Sequence, residues 1–305
     1  AMGYRPEGMI ADMIFPVVNV GKQSDLFPVF SRARRLRAQS TLRARGTPAK
    51  MVDEPVGSST YFANNYALKA GVFLEDRANA DPILLDEIIN GRTRLVMDDL
   101  FLDWELRVAN LVTSGSNVGS FTAVSSAWDG AGDPIGDLNT AIDNVQDTTG
   151  KRPTRVVMGL AAWKSFRRDS TVRNLIFGTN NGGGFASRAQ VMDLFELDEL
   201  LIGGAYVNTG EEFAGAPAIN AGEVISQIWN DDVLIYHAPP TPSRDTPSLG
   251  YSFRWAAPGL PNMQVERHPF DTKTKSEEIE VGYYQDELIT GAEYGFLLES
   301  VNSST

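Results

Sequence analysis

Residues 82–111 read PILLDEIINGRTRLVMDDLFLDWELRVANL, and this stretch decides the fold class. Proline suits a first helical turn, where its missing N–H has no partner to lose, and Asp81 before it is a good N-cap. Leu85, Ile89, Val96, Leu100, Trp104, Val108 and Leu111 recur at helical spacing as one apolar stripe. Leu84, Ile88, Leu95, Leu102 and Leu106 broaden it. At 1.5 Å per residue the predicted helix extends about 45 Å, where a typical globular helix has about 11–12 residues. Gly91 permits a bend, and Thr113-Ser114-Gly115 supplies the stop.

Upstream, residues 1–27 read as an arm. Ile14-Phe15-Pro16-Val17-Val18-Asn19-Val20 is extended in character, because proline removes a donor and disfavours helix before it. Residues 28–76 read as a long hairpin-like excursion. One limb covers about 29–42, the other 60–74, and a turn-rich stretch from Gly46-Thr47-Pro48 to Ser59 lies between. The first limb is mostly polar and offers little apolar surface for a core of its own. A projecting two-stranded arm is marginal alone and calls for a partner surface.

Downstream, Trp128-Asp129-Gly130 marks a boundary. A helix follows over about 134–148, with Ile135, Leu138, Ile142 and Val145 on one face and Gly150 closing it. Residues 155–159 read as a buried strand, 161–168 as a helix carrying Trp163 and Phe166, and Asp169 as the start of a further turn. A flexible glycine-rich connector spans 178–184. A helix at 188–195, a strand at 199–203 and a strand–turn–strand at 224–236 complete a compact α/β unit. The remainder is mostly β, over about 250–255, 263–268, 277–284 and 292–301.

Composition narrows the function classes. The 305 residues are 42% hydrophobic, as suits a folded protein with a sizeable core. No apolar run is long enough to span a bilayer, and the opening Ala1-Met2-Gly3-Tyr4-Arg5 lacks the layout of a secretory signal. The absence of cysteine excludes disulfides, thiolate catalysis and cysteine–zinc sites. His237 and His268 have no second histidine at helical spacing and read as ordinary loop or strand residues. A net charge of −12 disfavours tight DNA binding. The charge is uneven, however: Arg32, Arg34, Arg35, Arg37, Arg43 and Arg45 form one basic block, while acid dominates later. Such asymmetry serves nucleic-acid binding or pairing between copies of the same chain.

Catalytic signatures are missing. Gly115-Ser116-Asn117-Val118-Gly119-Ser120 lacks the lysine and spacing of a P-loop. The glycines at 182–184 follow no strand, as a dinucleotide fingerprint would require, and there is no Gly-x-Ser-x-Gly elbow. Asp98-Asp99 lies within the helix. Asp129, Asp133 and Asp137 lie in a turn and a cap, where solvated carboxylates are the ordinary reading.

The order of these blocks resembles tailed-phage major capsid proteins of the Hong Kong 97 type, nearly end to end. Ile10-Ala11-Asp12 with Phe15-Pro16-Val17 is similar to that family's N-terminal arm. Tyr61-Phe62, Tyr66-Ala67-Leu68 and Glu75-Asp76-Arg77-Ala78-Asn79-Ala80-Asp81 resemble the returning limb of its extended loop, and the long helix resembles its spine helix. Asp133-Pro134-Ile135, residues 149–159, Ala162-Trp163, Leu194-Phe195-Glu196-Leu197, Leu201-Ile202-Gly203, Ile228-Trp229 and Val233-Leu234-Ile235-Tyr236 resemble its axial domain. Residues 250–255 and Gly295-Phe296-Leu297-Leu298 complete the series.

The resemblance implies an α+β capsid fold. Its parts are an arm (1–27), an extended β-hairpin loop (28–76), a peripheral domain with spine helix (77–127), an α/β axial domain (128–245) and a returning β segment (246–305). It implies no catalysis and no cofactor. It implies pentamers and hexamers of an icosahedral shell in the virion, assembled in the host cytoplasm around double-stranded DNA that is contacted non-specifically. Portal, scaffold and decoration proteins are the other expected partners, with no membrane. The arginine block is expected to make intersubunit contacts. Gly178, Asn180, Asn181, Gly182, Gly183 and Gly184 are expected to form an adaptable axial loop. An encapsulin-type compartment shell shares the fold, and cargo-enzyme genes alongside would favour it. An α/β enzyme would show a deep pocket with convergent carboxylates. A DNA-binding protein using the arginines would show steeply salt-dependent affinity.

Overall fold

A computed structural model of the chain describes residues 6–30, 36–52, 56–79, 82–178, 184–210, 223–243, 246–256 and 262–303. In chain order the elements begin with α1 (Ala11–Ile14), β1 (Val17–Val20), β2 (Ser24–Phe30), β3 (Val56–Phe62), β4 (Asn64–Phe73), α2 (Leu74–Asn79), α3 (Pro82–Val112) and β5 (Ser120–Ala123). Next come α4 (Pro134–Thr149), β6 (Arg155–Gly159), α5 (Leu160–Arg168), α6 (Ser170–Phe177), α7 (Arg188–Phe195), β7 (Glu199–Gly203), β8 (Tyr206–Asn208), β9 (Ile225–Gln227) and β10 (Val233–Tyr236). The last are β11 (Gly250–Trp255), β12 (Gln264–Arg267), β13 (Ser276–Ile289), a 3₁₀ turn (Ala292–Tyr294) and β14 (Gly295–Glu299).

The axial sheet runs β5-β14-β10-β6-β7. Its strands Val-Val-Met, Leu-Leu-Ile and Val-Leu-Ile-Tyr are apolar at consecutive positions, the pattern of a sheet covered on both faces. Alternate residues divide accordingly. Val156, Met158, Leu200, Ile202, Val233, Ile235, Phe296 and Leu298 join a core with Leu138, Ile142, Trp163, Phe166 and Phe195 from the helices. Val157, Leu201, Leu234, Tyr236 and Leu297 face the other way, onto Ile14 and Phe15 of the arm and Trp104, Val108 and Val112 of α3. Asp133 caps α4 by accepting from the Gly136 N–H at 3.0 Å, and Gly150 ends it at φ 70°, a conformation suited to glycine. Gly203 has no room for a Cβ because the Trp229 side chain lies against it.

The peripheral sheet runs β1-β11-β13-β12, with β4 also paired to β13. Val281 and Tyr283 of β13 pack on Val96, Met97 and Leu100 of α3. The long helix therefore serves two sheets: its middle covers the peripheral one, and its C-terminal half covers the axial one.

Two readings of the sequence need correction. The excursion's paired limbs are β2 and β3, in register from Ser24↔Phe62 to Phe30↔Val56, so the outgoing strand stops well short of residue 42. The rest of the returning limb, β4, pairs antiparallel with β13 from Asn64↔Gln285 to Phe73↔Ser276 and is built into the peripheral sheet. The switch occurs at Ala63, fully buried, whose N–H donates to the Gln23 carbonyl at 2.9 Å. Tyr66 and Ala70 explain the choice, since they join the core under α3.

Candidate assembly surfaces

The hairpin is anchored at its base. Phe27 and Tyr61 stack on Phe253 of β11 at 5.3 and 4.9 Å between ring centroids. The Asp286 carboxylate accepts from the Phe62 N–H at 2.8 Å. All of residues 36–52 are exposed, with Leu42 at 91% and Met51 at 99%. This segment carries Arg37, Arg43, Arg45 and Lys50 and no carboxylate. The Arg43 Nε donates to the Thr47 carbonyl and holds a local turn. Arg32, Arg34 and Arg35 lie outside the described residues.

The glycine-rich connector is held at both ends by one helix. Gly178, at φ 78°, closes α6 with its N–H on the Asn174 carbonyl at 2.9 Å. The Gly184 carbonyl accepts from the Arg173 Nε of the same helix at 3.0 Å. Asn180, Asn181, Gly182 and Gly183 lie outside the described residues.

Between the two sheets sits a buried carboxylate that no motif announced. Glu105 of α3, 1% exposed, accepts from the Ile10 N–H at 3.0 and 2.9 Å and from the Ala11 N–H at 2.8 Å. It also accepts from the Trp229 indole Nε1 at 2.5 Å. One side chain thus joins arm, spine helix and axial domain, and fills the free donors at the start of α1. Burial pushes its pKa above the ordinary glutamate range, against the opposing pull of those hydrogen bonds. The available signal was its place on the helix's apolar face, one turn from Phe101 and Val108.

Beside it, Arg107 ion-pairs with Glu287 at 3.0 Å and with Asp103, and lies over the Tyr66 ring at 3.7 Å. Burial works against its charge, but Glu287 and Tyr283 hold its pKa above normal. The Arg254 guanidinium lies 5.2 Å from the Trp104 ring and 4.9 Å from that of Tyr283.

Several acidic residues make internal bonds. Asp137 accepts from the Trp128 Nε1 at 2.8 Å. Asp129 accepts from the Ser303 N–H at 3.0 Å, Asp231 from Asn302 at 3.1 Å and Asp232 from Ser300 at 3.0 Å, clamping the C-terminal segment. Burial lifts the Asp232 pKa to about 6. Among the described residues no group of His, Asp and Glu is placed to hold a metal ion, and no helix is long and apolar enough to cross a membrane. A cavity of about 380 Å³ under the hairpin base has one lining carboxylate, Glu293.

The element order and the two sheets are those of the Hong Kong 97-type fold, shared with phage capsid chains and an encapsulin. Residues 100–226 match the family described as Phage major capsid protein E. The major capsid protein of Burkholderia phage BcepMu is 22% identical over 99% of this chain and 94% of its own length. A phage-related protein of Bordetella bronchiseptica has a TM-score of 0.75 at 22% identity, covering 99% of this chain and 95% of that one. The capsid of cyanophage P-SCSP1u has a TM-score of 0.59 at 11% identity, over 98% and 90% of the two chains. An encapsulin of Synechococcus elongatus has a TM-score of 0.52 at 12% identity, over 96% and 87%. The chain is thus similar to phage major capsid proteins, a structural family and not an enzyme family.

Proposed function

We propose that this chain tiles an icosahedral head as pentamers and hexamers, enclosing double-stranded DNA that it contacts without sequence preference. The observation that carries the proposal is the segment 36–52. It is exposed and rich in positive charge, and apart from Leu36 beside Gly150 a single subunit offers it little packing surface. In a shell it would lie on a neighbouring copy, with Arg37, Arg43 and Arg45, and beyond the described residues Arg32, Arg34 and Arg35, meeting the acidic surface of that copy. The arm (1–27), extended loop (28–76), peripheral (77–127), axial (128–245) and returning (246–305) parts are the corresponding division of labour. The connector from Gly178 to Gly184, including Asn180, Asn181, Gly182 and Gly183, would adapt the axial domain to five-fold and six-fold centres. Portal, scaffold and decoration proteins would complete a head assembled in the host cytoplasm. The chain would have no catalytic role. Whole-length similarity to a phage major capsid protein favours a virion over a cargo compartment. Electron microscopy of the purified protein, with scattering across concentrations and any scaffold supplied, tests this. Closed shells are expected, and compact monomers under every condition would refute it.

A further inference from the structure

A cavity of about 380 Å³ lies where the hairpin base, the end of the spine helix and the returning β segment meet. Small-molecule sites often have about this size, with apolar walls and a few placed polar groups. Pro28 and Val29 of β2, Leu111 of α3 and Ile289 of β13 supply the apolar wall. The polar lining is rich in hydrogen-bond acceptors. Asn117 donates its Nδ2 to the Leu111 carbonyl at 3.0 Å, which leaves its Oδ1 to accept. Thr290 donates its hydroxyl to the Ser248 carbonyl at 3.2 Å, so its oxygen is left to accept as well. The Ser248 Oγ, in a residue 1% exposed, makes no hydrogen bond of ordinary geometry, although it lies near enough to the Tyr251 hydroxyl to influence it. A buried hydroxyl in that state lacks a partner that most buried polar groups have.

Glu293 decides the charge of that partner. Its carboxylate lines the cavity and has no ion pair or hydrogen bond among the described residues. None of the fourteen described residues that line the cavity is Lys, Arg or His. An anion would meet a carboxylate and no counter-charge. An ammonium would meet a carboxylate, together with neutral acceptors for its remaining hydrogens. We infer that this cavity is a binding site for a small aliphatic amine, with its ammonium on Glu293 and its alkyl chain along Pro28, Val29, Leu111 and Ile289. The inference does not depend on the shell reading. One wall belongs to β2 and the others to the body of the subunit, so an occupant would tie the hairpin base to the end of α3 and to the turn after β13.

Calorimetric titration of the unassembled chain with 1,4-diaminobutane tests the site, with 1,4-butanediol as an uncharged probe of the same shape. Sodium chloride at about 0.15 M screens diffuse attraction to a chain of net charge −12. The expected result is saturable one-to-one binding of the diamine with a Kd on the order of 1 mM, and no saturation by the diol. Glu293→Gln keeps the side chain's size but removes its charge, and should weaken binding roughly tenfold or more. Val29→Trp, at a position 39% exposed, narrows the cavity from the hairpin side without entering a core, and should weaken binding likewise. Thermal melts confirm that each variant folds, and if one does not, the other decides. Hydrogen exchange of the β2 amides should slow when the diamine is added to the unaltered chain. No saturation by the diamine up to about 20 mM, equal binding of the diol, or undiminished binding in either folded variant would overturn the site.

Discussion

Replacing Glu105 tests the junction on which the arm, spine helix and axial domain all depend. Its carboxylate serves three donors, the Ile10 and Ala11 amides and the Trp229 indole. Glu105→Ala leaves all three buried without an acceptor. An unsatisfied buried donor costs about 1–3 kcal/mol, so even the lower bound gives roughly 3 kcal/mol for the set. For a chain of this size that lowers Tm by about 6 °C, at roughly 2 °C per kcal/mol. Glu105→Gln avoids burying a charge but turns an NH₂ toward either Trp229 or Ala11, so one donor is lost, costing about 1–3 kcal/mol. The order wild type, Gln, Ala should appear in thermal melts of unassembled subunits. Hydrogen exchange should show the Ile10 and Ala11 amides losing protection before β6 does. Unchanged Tm and unchanged protection of those two amides in Glu105→Ala would refute the reasoning.

Leu100→Asp puts an unpaired charge at a position 2% exposed between α3 and the peripheral sheet, and insoluble subunits are expected in a solubility assay. Arg37→Glu with Arg43→Glu reverses two exposed charges; shell yield by sedimentation should fall while the subunit melt stays within about 0.5 kcal/mol of wild type. Asp232 has a folded pKa raised from 3.8 to about 6, so its neutral form is favoured by the fold. That contribution is complete below the unfolded value and is lost as pH rises through about 6. Asp232→Asn, which keeps an acceptor for Ser300, should flatten the stability decline across that window in denaturant titrations. In a shell structure, the 178–184 connector should differ between pentamer and hexamer subunits more than β6 does; equal superposition would remove its adaptive role.

Local signals carried much of the architecture. The expected helix at 82–111 is Pro82–Val112, and the strands expected at 155–159, 199–203 and 250–255 coincide with β6, β7 and β11. In each case residues within one element determine the outcome: a Pro-led stripe, a run of consecutive apolar residues in β6 and β7, or alternating aromatics in β11. Where partners decide, the sequence was silent. Nothing within residues 60–74 shows that the chain changes partner at Ala63, because β4 is set by β13, which lies some 200 residues later. The short β5 has one neighbour, β14, from the far end of the chain. The long helix read as having one broad apolar face, yet Leu95 is exposed whereas Glu105 is buried, because the acceptor is needed by backbone groups of the arm. The basic block was visible as composition, while the exposure of residues 36–52, with Arg37, Arg43 and Arg45, required the fold.

The placement of β11, β13 and β14 bears on when a nascent subunit becomes competent to meet its neighbours. The arm's β1 pairs in parallel with β11, β4 waits for β13, and β5 and β10 wait for β14. Residues 250–299 therefore close both sheets, and on the ribosome they emerge after the earlier strands that pair with them. Domains form as units during synthesis only when their strands are all available, and distant pairing is slow. A partly synthesised chain can collapse around α4–α7 but cannot hold its arm or seat its hairpin base. Any association through the arm or the hairpin would thus wait until residues 250–299 have been made, so that an incomplete chain would not join its neighbours.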